Sequence, residues 1–499
     1  MRRSASRSPG RVRHRLTRGP LAVAVVSAAA LAALTTACSQ GREPGVPASD
    51  ASRATAAPSS PPGTGAAASG TTGAQERASA LADLLQRRAD ALLAGDRAGW
   101  LAAVDPAADA FEQRQAWAYD ALAQLPLASW SYTVLGASTA RPADTALAAD
   151  PESWVARVEL SYQVAGADPV PARRVQALTV VRRAEGWRLA DDVAPAGAGR
   201  TDVDLWDLGE VQVAQGTSSV VVAAETLPRD AAQALARTAD TAVAQVDRVW
   251  GSDWPRRVVV VVPASVADLA ALLGRDPGAT AALAGLAAVT TGRVGPGPGS
   301  GEGEGSGRGM DGTRSDGAGA DGTGTDGTGV DGTASDGTAT SGNRVLVNYA
   351  AYDGLTDAGQ AVVLTHEIAH VATRAATTAP VPGWLVEGFA DYVGFRSSGL
   401  PVQTAAEEAL DEARADGAPR ELPRDGEFDT HIGGKPAAYE QAWLACRMVA
   451  ERYGEDQLVA LYRATAGGAG IEVALADTLG ITPAGLTADW RAYLGKLAG

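Results

Sequence analysis

Apolar residues return at helical spacing in Leu81, Leu84, Leu85, Ala89, Leu92 and Leu93, which predicts a helix with one buried stripe. A second helical stretch covers about Ala116 to Leu125. The period then shortens to two, and Trp130 to Val134, Trp154 to Tyr162, Ala177 to Arg182 and Gly186 to Ala190 read as strands. Helices followed by an antiparallel meander make a self-contained α+β domain over residues 74–200.

A different pattern starts at Ser218 and opens a second domain, 218–499. Ser218 to Ala223 reads as a strand, Arg229 to Trp250 as an amphipathic helix, the valine run after Arg256 and Arg257 as a buried strand, and Ala264 to Leu273 as another helix. Between about Pro296 and Gly342 an Asp-Gly pair recurs every five residues, at Asp311, Asp316, Asp321, Asp326, Asp331 and Asp336. Calcium-binding β-helix repeats run in nines and insert an apolar residue per turn, whereas this tract has almost none. Residues 296–342 are therefore expected to be a disordered insertion, with a strand resuming at Arg344. The Ala, Ser, Pro, Gly and Thr composition of 38–73 predicts a disordered tether by the same reasoning.

Seven arginines, an apolar run from Leu21 to Leu34 and the small residues Thr35, Thr36 and Ala37 form a secretion signal over 1–37, so the remainder is expected to face outward. The apolar run falls short of the about 20 residues of a membrane span. Cys38 follows directly and resembles the lipidated cysteine of a bacterial lipoprotein, which implies a lipid anchor in the membrane. Acylation of Cys38 would leave only Cys446, so no internal disulfide is expected, and Cys446 falls among Ala442, Trp443 and Val449 as a small core residue. Loss of the seven arginines takes the formal charge from −15 to −22, which argues against a nucleic-acid partner. Lysine occurs only at Lys435 and Lys496, a bias that looks like a GC-rich bacterial genome.

The candidate chemistry sits in Ala361 to Val371, helical by its spacing, where His366 and His370 lie four residues apart on one face. Two imidazoles so placed can meet one zinc ion near 2 Å, with Glu367 beside them to act on a water. Only four histidines occur in the chain, so this placement is not a by-product of composition. A break at Pro380 to Gly383 precedes a second helix carrying Glu387 and Asp391 one turn apart. One of these carboxylates can complete the site and the other can accept the second N–H of a ligand histidine.

His366 to His370 (HEIAH) followed by Trp384 to Tyr392 (WLVEGFADY) resembles the gluzincin metallopeptidases, most closely the peptidase MA-like bacterial domains, from about Ser218 to Leu497. The resemblance implies Zn2+ held by His366, His370 and Glu387, with Glu367 as general base and Asp391 behind a ligand histidine. For the donor that stabilises the oxyanion, gluzincins use a tyrosine or a histidine. Tyr439, which opens a helical stretch, is favoured over His431 in the Gly-rich Asp429 to Gly434. The order of elements in 74–200, with its LTVVRR and GWRLADD ending, looks like the nuclear transport factor 2-like cone fold. The expected protein is thus α+β, a cone domain followed by a gluzincin-type domain with a mainly helical C-terminal part. Its expected activity is that of an exported, lipid-anchored zinc metallopeptidase acting on peptide or protein substrates. An endopeptidase is favoured, because no Gly-X-Met-Glu-Asn stretch precedes the helix. The alternative is a catalytically inactive envelope lipoprotein that serves as a binding scaffold.

Overall fold

The computed structural model describes residues 65–199, 201–276, 278, 280–296, 338–428 and 435–499. The signal, Cys38, most of the Asp-Gly tract and His431 lie outside the described residues. Among the described residues the fold is mixed α and β, with sixteen α-helices and two sheets.

The first unit carries helices α1 (Gly65–Leu93), α2 (Arg97–Leu101) and α3 (Asp109–Leu122) on an antiparallel sheet of four strands in sequential order. These are β1 (Leu127–Ala137), β2 (Trp154–Val164), β3 (Ala172–Arg183) and β4 (Gly186–Asp191), with the short α4 (Thr145–Ala149) between the first two. Helix α1 begins at Gly65, inside the segment expected to be tether, because Ala66 to Ala68 have the strongest helix propensity of any residue type. Its stripe of Leu81, Leu84 and Leu85 packs with Val158, Val180 and Leu189 of the sheet. Between these helices and the sheet Trp100, Trp130 and Trp206 line a cavity of about 30 Å³, room for little more than water.

The second sheet runs β5-β6-β7-β9-β8. Its strands are β5 (Val211–Gln215), β6 (Ser219–Ala224), β7 (Val258–Val262), β8 (Ala288–Pro296) and β9 (Thr338–Val347). Strands β6, β7 and β9 are parallel, and the edge strands β5 and β8 are antiparallel to their neighbours. The unit therefore starts before Ser218, at a β5 whose five residues are too short to carry a clear alternation. The segment 338–342, expected within the insertion, is strand: Thr338 pairs with Pro296 and Ser341 with Arg293, so backbone pairing to β8 supplies what the side chains do not.

Alternate residues of this sheet face two different cores. Val221, Ala223, Val258, Val260, Val345 and Val347 pack under the helices, whereas Val220, Val222, Val259, Val261 and Leu346 share a core with Trp100, Trp130, Leu160 and Tyr162 of the first unit. A sheet covered on both faces explains the unbroken valine runs. The apolar surface of the first unit thus continues into a core shared with the second. At the seam Arg344 donates to both oxygens of Asp168, at 2.7 and 3.0 Å, and both side chains are buried.

The helices on the other face are α6 (Arg229–Trp250), α9 (Asp357–Arg374) and α10 (Gly383–Phe395), backed by α13 (Pro436–Tyr453), α14 (Glu455–Ala466), α15 (Ile471–Leu479) and α16 (Pro483–Ala498). No described helix is long and apolar enough to cross a membrane. Cys446 is a free thiol fully buried in this core, as its apolar neighbours predicted.

Candidate metal centre

Helix α9 is started by Thr356, whose side chain accepts the N–H of Gly359, with Asp357 in the first turn and Arg374 in the last to complement the dipole. Every residue from Val362 to Thr373 is buried, because the helix is enclosed by α6, α10 and the β8–β9 edge of the sheet. His366 and His370 are therefore held away from bulk water, at 0 % and 1 % exposure.

Helix α10 starts after the Pro380 to Pro382 break and brings Glu387 and Asp391 to the same place. Gly388, next to Glu387, is required by packing: a Cβ there would run into the Ala442 carbonyl and the Cys446 sulfur of α13. Helix α10 can thus lie close against α13 while its other face presents the two carboxylates to α9.

Three ligand atoms converge. His366 Nε2 lies 2.9 Å from His370 Nε2, and Glu387 Oε2 lies 3.3 Å and 3.4 Å from those nitrogens. Ligand atoms bound tetrahedrally to one zinc at its usual bond length are separated by about 3.3 Å, so the triangle is close to that of an occupied site. Glu387 Oε2 is buried and makes no hydrogen bond among the described residues, so it is free to accept a cation. His366, His370 and Glu387 together can hold a metal ion.

Electrostatics agree with the donor set. Burial opposes a proton on His366, but Asp391, with Oδ1 2.7 Å from Nδ1, and Glu387 outweigh it and raise the imidazole well above its ordinary value. Burial likewise pushes the Glu387 carboxyl up, and the two histidines overcome it and hold that carboxyl down at about 2. The carboxylates thus favour positive charge at the centre of the cluster. Asp391 keeps the His366 proton on Nδ1 and turns Nε2 toward Glu387.

Glu367 lies on the same helix, fully buried and within electrostatic reach of His366, His370 and Glu387. Its Oε2 accepts the Thr290 hydroxyl at 2.6 Å, and its Oε1 has no hydrogen-bond partner among the described residues. Burial pushes this carboxyl up, against the pull of His366 and His370. Arg374, half-buried at the end of α9, donates from Nη1 to the Thr290 carbonyl at 3.0 Å, and burial lowers its pKa. Neither Thr290 nor Arg374 carries a local signal. A threonine in a strand and an arginine in the last turn of a helix are ordinary, and only the register of β8 against α9 gives them a part.

The structure brings His366, Glu367, His370, Glu387 and Asp391 together. Tyr439 lies on α13, buried, with its ring edge-on to Phe428 and its hydroxyl donating to the Phe428 carbonyl at 3.0 Å. That donation commits the hydroxyl, so no catalytic step is assigned to it here. Tyr439→Phe is expected to lower unfolding stability by about 1 kcal/mol and to leave zinc content unchanged. A loss of kcat on the order of a hundredfold at unchanged stability would instead give the hydroxyl an oxyanion role.

No family model, no curated protein and no solved structure matches the chain.

Proposed function

We propose that the protein is a zinc metallopeptidase, with Zn2+ held by His366, His370 and Glu387. The observation that carries this reading is the buried triangle of two imidazole nitrogens and one unpartnered carboxylate oxygen, with a second unpartnered carboxylate oxygen, Glu367 Oε1, beside it. Nitrogen and carboxylate donors in a three-protein-ligand set suit catalytic zinc. When bound there, zinc polarises a peptide carbonyl and lowers the pKa of water. Glu367 Oε1 would take a proton from the water as the water oxygen bonds to the carbonyl carbon, and would return it to the amine nitrogen as the C–N bond breaks. Asp391 orients the His366 ring through Nδ1, and all five side chains are buried. The N-terminal sequence supports the further proposal that the enzyme is exported and anchored through Cys38.

The test is metal content together with peptide cleavage. Purified protein from zinc-replete growth is expected to carry about one zinc per chain, and His366→Ala to retain less than about a tenth of that. Wild-type protein with no more zinc than His366→Ala would end the proposal. Cleavage of a peptide library that stops on chelation and returns with added zinc is the expected activity.

A further inference from the structure

Thr290 lies on β8, the edge strand beside α9, far in sequence from the histidine helix. Its hydroxyl is 2.6 Å from Glu367 Oε2 and 2.9 Å from the Glu367 carbonyl oxygen, and its own carbonyl is gripped by Arg374 at 3.0 Å. Strand pairing holds the residue from the other side, with Thr290 opposite Val345 of β9. The threonine is 1 % exposed, so water does not compete for these contacts.

We propose that Thr290 is the positioning residue of the general base: it holds Oε2 of Glu367 and so leaves Oε1 as the single oxygen free to carry a proton. This inference rests on the peptidase reading for its consequence in catalysis, though not for its geometry. A carboxylate on two rotatable bonds beyond Cβ has several rotamers, and a buried one with a single partner is placed by that partner. The bond is short because the acceptor is charged. With Oε2 occupied, the oxygen that lacks any partner is Oε1. General-base catalysis needs that atom within hydrogen-bond reach of the proton it removes, and a misplacement of 1 Å is enough to lower a rate on the order of a hundredfold.

Arg374 extends the device. It ties the Thr290 backbone to the last turn of the helix that carries Glu367, so that strand and helix are fixed to each other at both ends of the carboxylate contact.

The experiment compares Thr290→Val, which keeps the shape and removes the hydroxyl, with Thr290→Ser, which keeps the hydroxyl. Crystal structures of the zinc-loaded variants read the Glu367 rotamer directly, without need of activity. The expected result is a displaced or multiply placed Glu367 side chain in Thr290→Val and the wild-type position in Thr290→Ser. In solution, Thr290→Val should lose kcat by about ten- to a hundredfold, with KM changed less than about threefold and zinc stoichiometry unchanged. Thr290→Ser should recover most of that loss. If Thr290→Val does not fold, Thr290→Ala is read in the same way. Glu367 holding its position without the hydroxyl, kcat surviving in Thr290→Val, or loss of zinc in that variant would each overturn the inference. A wild-type protein that binds zinc and cleaves nothing would defeat the peptidase reading alone, and the crystallographic comparison would still decide the role of Thr290.

Discussion

Glu367→Gln is expected to keep its zinc and its fold while losing peptide hydrolysis by on the order of a thousandfold. The substitution preserves the shape of a side chain that is fully buried, and an amide oxygen in place of Oε2 still accepts the Thr290 hydroxyl. What it removes is the basic oxygen at Oε1. Since Glu367 is not among the three converging ligand atoms, metal affinity should change little. Zinc content by metal analysis and single-turnover cleavage of a library-selected peptide are the two measurements. If wild type and Glu367→Gln bind zinc equally and are equally inert, the protein is a binding scaffold built on a metal site. The buried, unpartnered Glu367 Oε1 weighs against that outcome, because a scaffold gains nothing from a carboxylate oxygen left unsatisfied in its core.

The parts of the site that were legible in the sequence are those whose geometry is local. Two histidines four residues apart must share a helix face whatever the surrounding fold, and the same holds for Glu387 and Asp391. Which carboxylate joins the histidines and which stands behind one of them came from resemblance; in the structure Glu387 Oε2 lies 3.3 and 3.4 Å from the two Nε2 atoms, and Asp391 Oδ1 lies 2.7 Å from His366 Nδ1. Thr290 was not legible, because its contact with Glu367 joins residues 77 apart in sequence. The case of Tyr439 is different: helix and burial were readable, but the partner that its hydroxyl finds, the Phe428 carbonyl, depends on how a loop returns to α13.

The same distinction holds for the fold. Strands and helices with strong periodicity were readable, including Arg229 to Trp250 and the valine run now seen as Val258–Val262. The boundary between the units was not, because the run of valines looks alike whether its second face meets helices or another domain. Only the structure shows that Val220, Val222, Val259 and Val261 are covered by the first unit. That arrangement ties the first unit to the one that carries the metal-site residues. Strand β9, whose Leu346 faces the cone, is also the strand on which β8 and Thr290 are laid.

Asp168→Ala is therefore expected to destabilise the whole chain, by about 3–5 kcal/mol. Its two oxygens take both ends of the Arg344 guanidinium, and Oδ2 also accepts the Val164 N–H at 2.8 Å. Burial disfavours the charge on Arg344, and Asp168 reverses the effect, raising its pKa. Removing the carboxylate leaves a cation buried between two domains with the remaining neighbours Tyr162 and Asp204 unable to replace the paired contact. Replacement of both partners by apolar residues, Asp168→Leu with Arg344→Met, should recover most of the loss, since the cost arises from the uncompensated charge rather than from the missing attraction. Chemical denaturation followed by tryptophan fluorescence measures both variants. A loss below about 1 kcal/mol in Asp168→Ala would show that the valine face carries the contact without the ion pair. In calorimetry the shared core should give one cooperative transition in wild type, and two well-separated transitions would contradict it. Because β9 links the seam to β8, Asp168→Ala should also loosen Thr290, and hydrogen exchange at the β8–β9 pairing, faster in the variant than in wild type, is the sign that the first unit supports the Thr290–Glu367 contact from across the sheet.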